Sequence, residues 1–133
     1  MDYRYSVLVR EAHLDTFGHV NNATYLALFE EARWQLVTER GYGLEQVRLH
    51  KKGPVILEVN LKFISELHLR EQIQITVEPL SYTKKIAQMK QKMLKADGTV
   101  AAEALFTFGF FDLVTRKLIL PTQEWMHAIG WVS

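Results

Sequence analysis

The segment NATYLALFEEARWQLVTER, residues 22–40, has the hydrophobic spacing of one long α-helix. Its apolar side chains recur every three or four residues and form one stripe, made of Tyr25, Leu28, Phe29, Ala32 and Leu36. Further apolar residues lie outside that stripe, so we expect the rest of the protein to enclose most of the first two turns. Asn22 is a suitable N-cap, because its side chain can accept a hydrogen bond from an early helical N–H. Gly41 is a suitable C-terminal stop.

On both sides of this helix, apolar and polar residues alternate as they do in β-strands. A short strand is predicted before the helix at residues 4–10, and a loop at 11–18 joins the two. After the helix, the pattern predicts a short second helix at 44–51 and then strands at 55–64, 72–77, 85–96, 99–112 and 116–120. The dipeptide Asp97-Gly98 indicates a tight hairpin between the third and the fourth of these later strands.

This order of elements predicts an α+β fold, with one long central helix wrapped by a curved antiparallel sheet of five to six strands. We expect four strands after the helix to follow one another as an antiparallel meander. The strand at 99–112 is apolar on both faces, which places it at the centre of the sheet or under both the helix and a second subunit. The sheet edges need protection, and pairing with another copy is one common solution.

Length and composition are those of one ordinary globular domain. The chain has 133 residues, about the length of a single domain. Its net charge of +1 argues against a dedicated nucleic-acid binder. No signal peptide is visible at residues 1–5, and no apolar run approaches the roughly 18 residues of a membrane span. Cysteine is absent, which excludes disulfides and a cysteine nucleophile and suits a reducing compartment. We therefore expect one soluble, cytoplasmic domain spanning residues 1–133.

The loop before the helix and its first turn, DTFGHVNNATY at residues 15–25, contain the groups that acyl transfer needs. Asp15 supplies a carboxylate, and Gly18 permits a close backbone approach or a positive φ. The helix N-terminus, from about Asn22, offers free N–H groups to a carbonyl oxygen that becomes an oxyanion. Taken singly, Asp15 and Asn22 also suit capping, and His19 suits a hydrogen-bonded loop histidine. The complete string at fixed spacing favours the catalytic interpretation.

The string D-x-x-G-H-V-N-N-A-x-Y, followed by E-E-A-R, resembles the hotdog-fold acyl-CoA thioesterases. The branch is the one typified by 4-hydroxybenzoyl-CoA thioesterase and by bacterial long-chain acyl-CoA thioesterases. The resemblance covers nearly the whole chain and implies a hotdog fold. It also implies an enzyme that hydrolyses acyl-CoA to a free carboxylic acid and CoA. No metal or other cofactor is implied, since CoA is part of the substrate. A homodimer or homotetramer is implied, with the site between two subunits.

The resemblance implies a role for five residues of this segment. Asp15 matches the catalytic carboxylate, which acts as a nucleophile on the thioester carbonyl or as a general base for water. Asn22 matches the position whose backbone N–H polarises that carbonyl. His19 matches a histidine that orients a group or a water molecule. Gly18 and Tyr25 complete the substrate-binding set on the loop and the first helical turn, and we expect Tyr25 to pack against the site rather than react.

A lysine-rich segment is the second candidate substrate-binding element. It contains five lysines and no acidic residue: Lys84, Lys85, Lys90, Lys92 and Lys95. In the family, basic residues at the start of this strand hold the CoA phosphates, which implies this role for Lys84 and Lys85. A solvated strand face protected by lysines is the alternative for these two and the preferred interpretation for the other three.

The sequence departs from the family pattern at two places. Some relatives have asparagine at the position of Phe17, so one polar contact to the nucleophile is missing here. Many relatives have a tyrosine and a proline around Phe63 and Glu66, and neither is present in this chain. We expect the second departure to change only the end of a strand.

Alternatives to hydrolysis stay open from the sequence alone. A hotdog dehydratase needs a histidine with a carboxylate from another element, whereas Asp15 and His19 share one loop. A protein that binds an acyl thioester without cleaving it would have the same pocket. A metal site of His13, Asp15 and His19 lacks support from any other ligand cluster, and no serine lies in a G-x-S-x-G elbow.

Medium to long aliphatic acyl groups are the first expectation for the substrate, and aryl groups are the second. Candidate pocket residues, each equally suited to the core, are Phe17, Phe29, Met89 and Phe108.

Overall fold

The computed structural model describes residues 3–15 and 18–131, which form a long helix and a six-stranded antiparallel sheet. The strands are β1 (Tyr3–Leu8), β2 (Lys52–Phe63), β3 (Gln72–Thr83), β4 (Ile86–Lys95), β5 (Val100–Asp112) and β6 (Lys117–Ile119). The helices are α1 (Asn22–Glu39), α2 (Leu44–His50) and α3 (Gln123–Ala128), and a 3-10 turn covers Glu11–His13. The predicted α+β architecture is confirmed. Within these residues, no helix is long and apolar enough to cross a membrane.

The order of strands in the sheet is β1-β3-β4-β5-β2, and β6 also pairs with β5. β3, β4, β5 and β6 follow one another as predicted, and β5 is an interior strand between β4 and β2. The predicted meander is wrong for β2, which pairs with β5 instead of β3. The physical reason is that β1 occupies the free edge of β3, with Tyr3 opposite Val77. β2 is therefore an edge strand of the described sheet.

Helix α1 begins and ends with standard capping groups. The N-cap is Asn21, whose side chain accepts a hydrogen bond from the Ala23 N–H at 2.8 Å. The prediction of Asn22 as the N-cap is therefore wrong by one residue, and Asn22 is the first residue of the helix. At the other end, Gly41 adopts a φ of +97°, and the Tyr42 N–H donates to the Val37 carbonyl at 2.7 Å.

The predicted apolar stripe of α1 is buried against the sheet in full. Phe29 is completely buried, and its ring packs edge-on against Phe106 at a centroid distance of 6.1 Å. Burying a side chain of this size stabilises the fold by about 1.5–3 kcal/mol. On another face, Ala23, Leu26 and Ala27 are exposed. The prediction that the first two turns are mostly enclosed is thus wrong for the single chain.

The strand boundaries differ most from prediction at β3, which continues to Thr83 instead of ending at residue 77. Pro79 is accommodated because the register between β3 and β4 shifts between Pro79 and Ser81, and proline is tolerated at such a bulge. The Asp97-Gly98 hairpin is confirmed, since Gly98 has a φ of +88° and the Lys95 N–H donates to the Thr99 carbonyl.

Candidate active site

A short hydrogen-bonded loop leads into α1 and carries Asp15. Leu14 and Val20 form an antiparallel bridge at its base. The Asp15 N–H donates to the His19 carbonyl at 2.8 Å, and the Gly18 N–H donates to the Asp15 carbonyl at 3.0 Å. The Asp15 carboxylate accepts the His19 N–H at 3.2 Å. The backbone of the loop therefore orients this carboxylate, which remains exposed.

Gly18 is required in this loop by its backbone conformation. Its φ is +80°, in the region that glycine adopts without steric cost. A Cβ atom built on Gly18 would meet no atom within 4 Å, so close packing within the chain does not require glycine. We expected Gly18 to allow either a close backbone approach or a positive φ, and the single chain shows the positive φ. Phe17, the neighbouring departure from the family pattern, lies outside the described residues.

The first turn of α1 leaves one amide available. Asn21 satisfies three N–H groups, because its side chain accepts from Ala23 and its carbonyl accepts from Thr24 and Tyr25 at 2.9 and 3.3 Å. Within residues 3–15 and 18–131, the Asn22 N–H has no hydrogen-bond acceptor. A helix N-terminus normally leaves such amides for side chains, water or ligands. The exposed Asn22 amide is thus free to donate to an oxygen beside the Asp15 loop.

The His19 imidazole contacts the carboxylate of Glu66, a residue with no predicted role. The His19 Nε2 and Glu66 Oε1 atoms are 3.2 Å apart, and the side chains are 61% and 52% exposed. Glu66 lies in the connection between β2 and β3, so this contact connects the Asp15 loop to a second element. The only sequence signal for it was that Glu66 marks a departure from the family pattern.

Tyr25 is buried directly behind the loop, on the first turns of α1. Its ring packs edge-on against Phe63 with a centroid distance of 5.0 Å. Burial raises the pKa of the Tyr25 hydroxyl, and a hydrogen bond with the Leu67 backbone opposes that shift. Tyr25 therefore stays protonated at neutral pH. Its substrate-binding role remains a prediction.

Lys84 and Lys85 lie far from Asp15 within one chain. They form the turn between β3 and β4, near the point where Ala87 pairs with Phe108. The Asp15 loop contacts Glu66, just beyond Phe63, and Phe63 pairs with Ala102 on β5. The six residue steps from Ala102 to Phe108 span about 20 Å of strand. The chain by itself does not bring the two lysines to the carboxylate.

The other lysines of the segment are used differently. Lys90 forms an ion pair with Glu103 at 3.2 Å, across β4 and β5. Lys95 pairs with Glu71 at 3.4 Å. Neither Lys84 nor Lys85 has a carboxylate partner in the described part of the chain, and both are exposed. Lys92 also has no carboxylate partner there, but it is half-buried, so Lys84 and Lys85 are the two exposed lysines of the segment available to an anionic ligand.

An apolar cavity of about 280 Å³ lies beside the second half of α1. Its walls come from α1, the start of β2, the middle of the sheet and α3. The lining residues are Glu30, Arg33, Trp34, Leu36, Val37, Pro54, Val55, Ile56, Val77, Pro79, Met89, Phe108, Trp125 and Ile129. The candidate pocket residues Met89 and Phe108 belong to this lining. Phe29 belongs to the core instead.

One charged network borders this cavity. The Arg33 Nη1 donates to Gln91 Oε1 at 3.0 Å, and the guanidinium lies 4.3 Å from the centre of the Phe106 ring. Gln91 is fully buried and donates through Nε2 to the Phe29 carbonyl at 3.1 Å. Burial lowers the pKa of Arg33 to about 10, and Glu30 opposes that shift, so the guanidinium stays charged at neutral pH. The sequence feature that could have indicated this network is Gln91, a polar residue at a position of β4 where the alternating pattern predicts a buried side chain.

The candidate metal ligands are engaged with other groups. No group of three or more metal-ligating side chains occurs in the part of the chain that the structure describes. The His13 Nδ1 accepts the Arg10 N–H at 2.9 Å. Because His19 pairs with Glu66, both imidazoles of the proposed metal set already have protein partners.

Comparison with known proteins agrees with this architecture. A model of the Thioesterase-like superfamily matches residues 9–129. The long-chain acyl-CoA thioesterase FadM of Escherichia coli K12 is 33% identical over 119 residues, which is 89% of each protein. The structure of YbaW, a probable thioesterase from E. coli, matches with a TM-score of 0.82 and 29% identity over 96% of each chain.

A more distant structure supports the fold alone. It is a Staphylococcus aureus protein solved in complex with CoA, with a TM-score of 0.90 at 19% identity, covering 98% of this chain and 82% of that one. The predicted hotdog architecture and the predicted family are thus both confirmed. The family model spans most of the sequence and one relative exceeds 30% identity, so this chain belongs to the thioesterase-like superfamily.

Proposed function

We propose that this protein hydrolyses acyl-CoA thioesters to a free carboxylic acid and CoA, with Asp15 and Asn22 as the reacting groups. The observation that carries the proposal is the exposed Asp15 carboxylate, held by the His19 amide in the loop that leads to the unengaged Asn22 N–H. The similarity to a long-chain acyl-CoA thioesterase supports it. We propose that residues 1–133 form one domain that acts in the cytoplasm without a cofactor. Its preferred substrates would carry medium to long aliphatic acyl chains, and aryl groups are the second choice.

The reaction follows from these two groups. The Asn22 N–H donates to the thioester carbonyl oxygen and stabilises its developing negative charge. As a general base, Asp15 takes a proton from water, whose oxygen attacks the carbonyl carbon. The C–S bond then breaks and CoA leaves as a thiol after gaining that proton. As a nucleophile, Asp15 instead forms a mixed anhydride and expels the CoA thiolate, and water then hydrolyses the anhydride. Either route consumes one water per thioester.

We further propose that two copies pair along β2 and complete the site. β2 is 12 residues long and lies at the edge of the described sheet. Its exposed apolar side chains, including Ile64 just beyond its end, are Ile56, Leu57, Val59, Phe63 and Ile64, between 39% and 55% exposed. An unpaired apolar edge of this kind favours association. The exposed Ala23, Leu26 and Ala27 of α1 add apolar surface to the chain. A dimer, or a tetramer made of two dimers, would cover both.

Antiparallel pairing of two β2 strands would also explain the distant lysines. It places the start of β2 in one copy beside the end of β2 in the other. The turn with Lys84 and Lys85 and the cavity lie at the level of the β2 start. The loop with Asp15 lies near the β2 end. Each catalytic loop would therefore have the lysines of the other copy available for the CoA phosphates and its cavity available for the acyl chain.

One observation favours a second candidate, a hotdog hydratase or dehydratase. Such an enzyme needs a histidine with a carboxylate from another element. His19 and Glu66 form such a pair, since Glu66 comes from the connection between β2 and β3. The pair is at the same loop as Asp15, so both reactions must be assayed on the same protein.

The test is release of free thiol, measured with Ellman's reagent on acetyl-, hexanoyl-, palmitoyl- and benzoyl-CoA. The protein contributes no thiol background because it has no cysteine. We expect Asp15→Asn to lower kcat by at least about a hundredfold, as loss of a positioned acid–base group does. The matched control is Asp112→Asn, because Asp112 is also a turn carboxylate that accepts backbone N–H groups, from Val114 and Thr115.

Each other outcome points to a different function. Near wild-type turnover by folded Asp15→Asn would end the assignment of Asp15. Retention of acyl-CoA without any thiol release would identify a binding protein. Hydration of crotonyl-CoA, followed as loss of the conjugated enoyl absorbance and without thiol release, would identify the hydratase.

A further inference from the structure

We propose that the cavity beside α1 receives the distal part of the acyl chain, and that Arg33 donates a hydrogen bond there to an uncharged oxygen on that chain. The protein would then favour hydroxy- or oxo-acyl thioesters over plain alkyl ones. This inference rests on the proposed function, because it assigns a substrate feature to the same reaction.

The cavity has the size and the lining of an acyl-chain site. One face of α1 supplies Glu30, Arg33, Trp34 and Val37, which follow helical spacing, and the rest of the lining is almost entirely apolar. A cavity of 150 Å³ holds benzene, so about 280 Å³ corresponds to roughly ten non-hydrogen atoms. The walls at Pro54–Ile56 belong to the exposed edge strand β2, where the proposed second copy would bring its catalytic loop.

Arg33 has more hydrogen-bond donors than the chain uses. A guanidinium carries five N–H donors, and within the described residues one of them is engaged, with Gln91. No carboxylate forms an ion pair with Arg33 among residues 3–15 and 18–131. A charge removed from water without an ionic partner is costly. A ligand oxygen in the cavity would offset part of that cost, which a purely alkyl chain cannot do.

A second donor on the lining is also unsatisfied. The Trp125 indole N–H is buried and lacks a hydrogen-bond partner in the described chain, and so does the Tyr82 hydroxyl. Burial raises the pKa of Tyr82 to about 12, and the Trp125 indole is close enough to oppose that shift. The two groups nevertheless do not reach hydrogen-bond geometry. The remaining guanidinium donors of Arg33 favour a ligand that accepts hydrogen bonds.

The negative charge of Glu30 favours an uncharged oxygen on the ligand. Its side chain lines the same cavity, and its charge is close enough to Arg33 to affect the pKa of the guanidinium. A carboxylate on the ligand would be repelled by Glu30. A hydroxyl can accept from Arg33 and also donate to Glu30, because it is both donor and acceptor.

The test compares kcat/KM for decanoyl-CoA and for a panel of its derivatives, each with one hydroxyl on a carbon between the middle and the ω end of the chain. A hydrogen bond to a charged donor contributes about 1.5–3 kcal/mol. We therefore expect the best hydroxylated derivative to exceed decanoyl-CoA by at least about tenfold. Arg33→Met should abolish this preference, so that the ratio of kcat/KM for the hydroxylated derivative to kcat/KM for decanoyl-CoA falls to about one.

Two further variants keep the test interpretable if Arg33→Met fails to fold. Arg33→Lys keeps a positive donor and should retain part of the preference even if Arg33→Met unfolds. Arg48→Met removes an exposed arginine of α2 and should leave the preference unchanged. Equal turnover of all substrates by the wild type would overturn the proposal, as would a preference that survives in folded Arg33→Met. A preference for the ω-carboxylated chain would overturn the assignment of an uncharged oxygen.

Failure of the proposed hydrolysis would be distinguishable from failure of this inference. With no thiol release from any substrate, the cavity remains testable by tryptophan fluorescence, because Trp34 and Trp125 line it. Hydroxylated decanoic acids should then bind at least about tenfold more tightly than decanoic acid to the wild type, whereas folded Arg33→Met should bind the two kinds of acid equally. Equal binding by the wild type would reject the inference independently of catalysis.

Discussion

The two halves of α1 support different parts of the proposed function. At its N-terminal end, Asp15, His19 and Asn22 are exposed and are organised by hydrogen bonds within a few residues of sequence. At its C-terminal half, Arg33 and Gln91 come from elements 58 residues apart and meet in a mostly buried network. The first region contains the groups that we propose react with the thioester, and the second encloses the cavity that we propose receives the acyl chain. In this proposal the reacting groups are encoded locally in the sequence, whereas selection of the acyl chain depends on packing.

The first prediction separates the two regions by breaking the proposed dimer, and it has the largest expected effect. Val59→Glu places a charge on the exposed edge of β2, so the protein should become a monomer in size-exclusion chromatography. We expect kcat/KM to fall by about a hundredfold, because small displacements of substrate-positioning groups have effects of that size.

The control is Val114→Glu, since Val114 is 69% exposed in the turn before β6. That variant should keep both the oligomer and the activity. A Val59→Glu monomer with full activity would show that one copy contains the complete site.

The second prediction perturbs the cavity region and leaves the loop intact. Gln91→Leu removes the acceptor of Arg33 and the donor to the Phe29 carbonyl, and leaves both groups buried. We expect a loss of about 2 kcal/mol in the free energy of unfolding, roughly thirtyfold in the equilibrium constant, measured by urea denaturation.

Gln88→Leu is the matched control, because Gln88 is half-buried on the same strand and makes one long hydrogen bond of 3.4 Å to Thr107. Its cost should stay below about 1 kcal/mol. If both variants cost the same, the buried network would have no special contribution to stability. Hydrolysis of acetyl-CoA by Gln91→Leu should stay close to that of the wild type at temperatures where the protein is folded.

The third prediction concerns the nucleotide end of the substrate and has the smallest effect. Lys84→Ala combined with Lys85→Ala should raise KM for CoA thioesters by about tenfold with little change in kcat, because two exposed charges contribute about 1 kcal/mol or less each. Lys90→Ala combined with Lys92→Ala is the control from the same segment. The difference between the two double variants should shrink at high salt. An unchanged KM would return Lys84 and Lys85 to the solvated-face interpretation.

Much of the fold was predictable from hydrophobic spacing. The stripe of α1, the Asp97-Gly98 hairpin and the interior position of β5 all follow from residues close in sequence. The pairing of β2 did not, because alternation shows which residues share a face and not which strand lies alongside. The N-cap was misplaced by one residue because Asn21 and Asn22 have the same side chain, and only the Ala23 hydrogen bond distinguishes them.

The candidate site divides in the same way. The sequence by itself determined the Asp15 loop, since its glycine, its capping asparagine and its carboxylate act through neighbouring backbone groups. Only the tertiary structure decided that Glu66 pairs with His19, that Gln91 holds Arg33, and that Lys84 and Lys85 are remote from Asp15 within one chain. Contacts between distant segments depend on strand order and register, which arise from the packing of the whole sheet against α1.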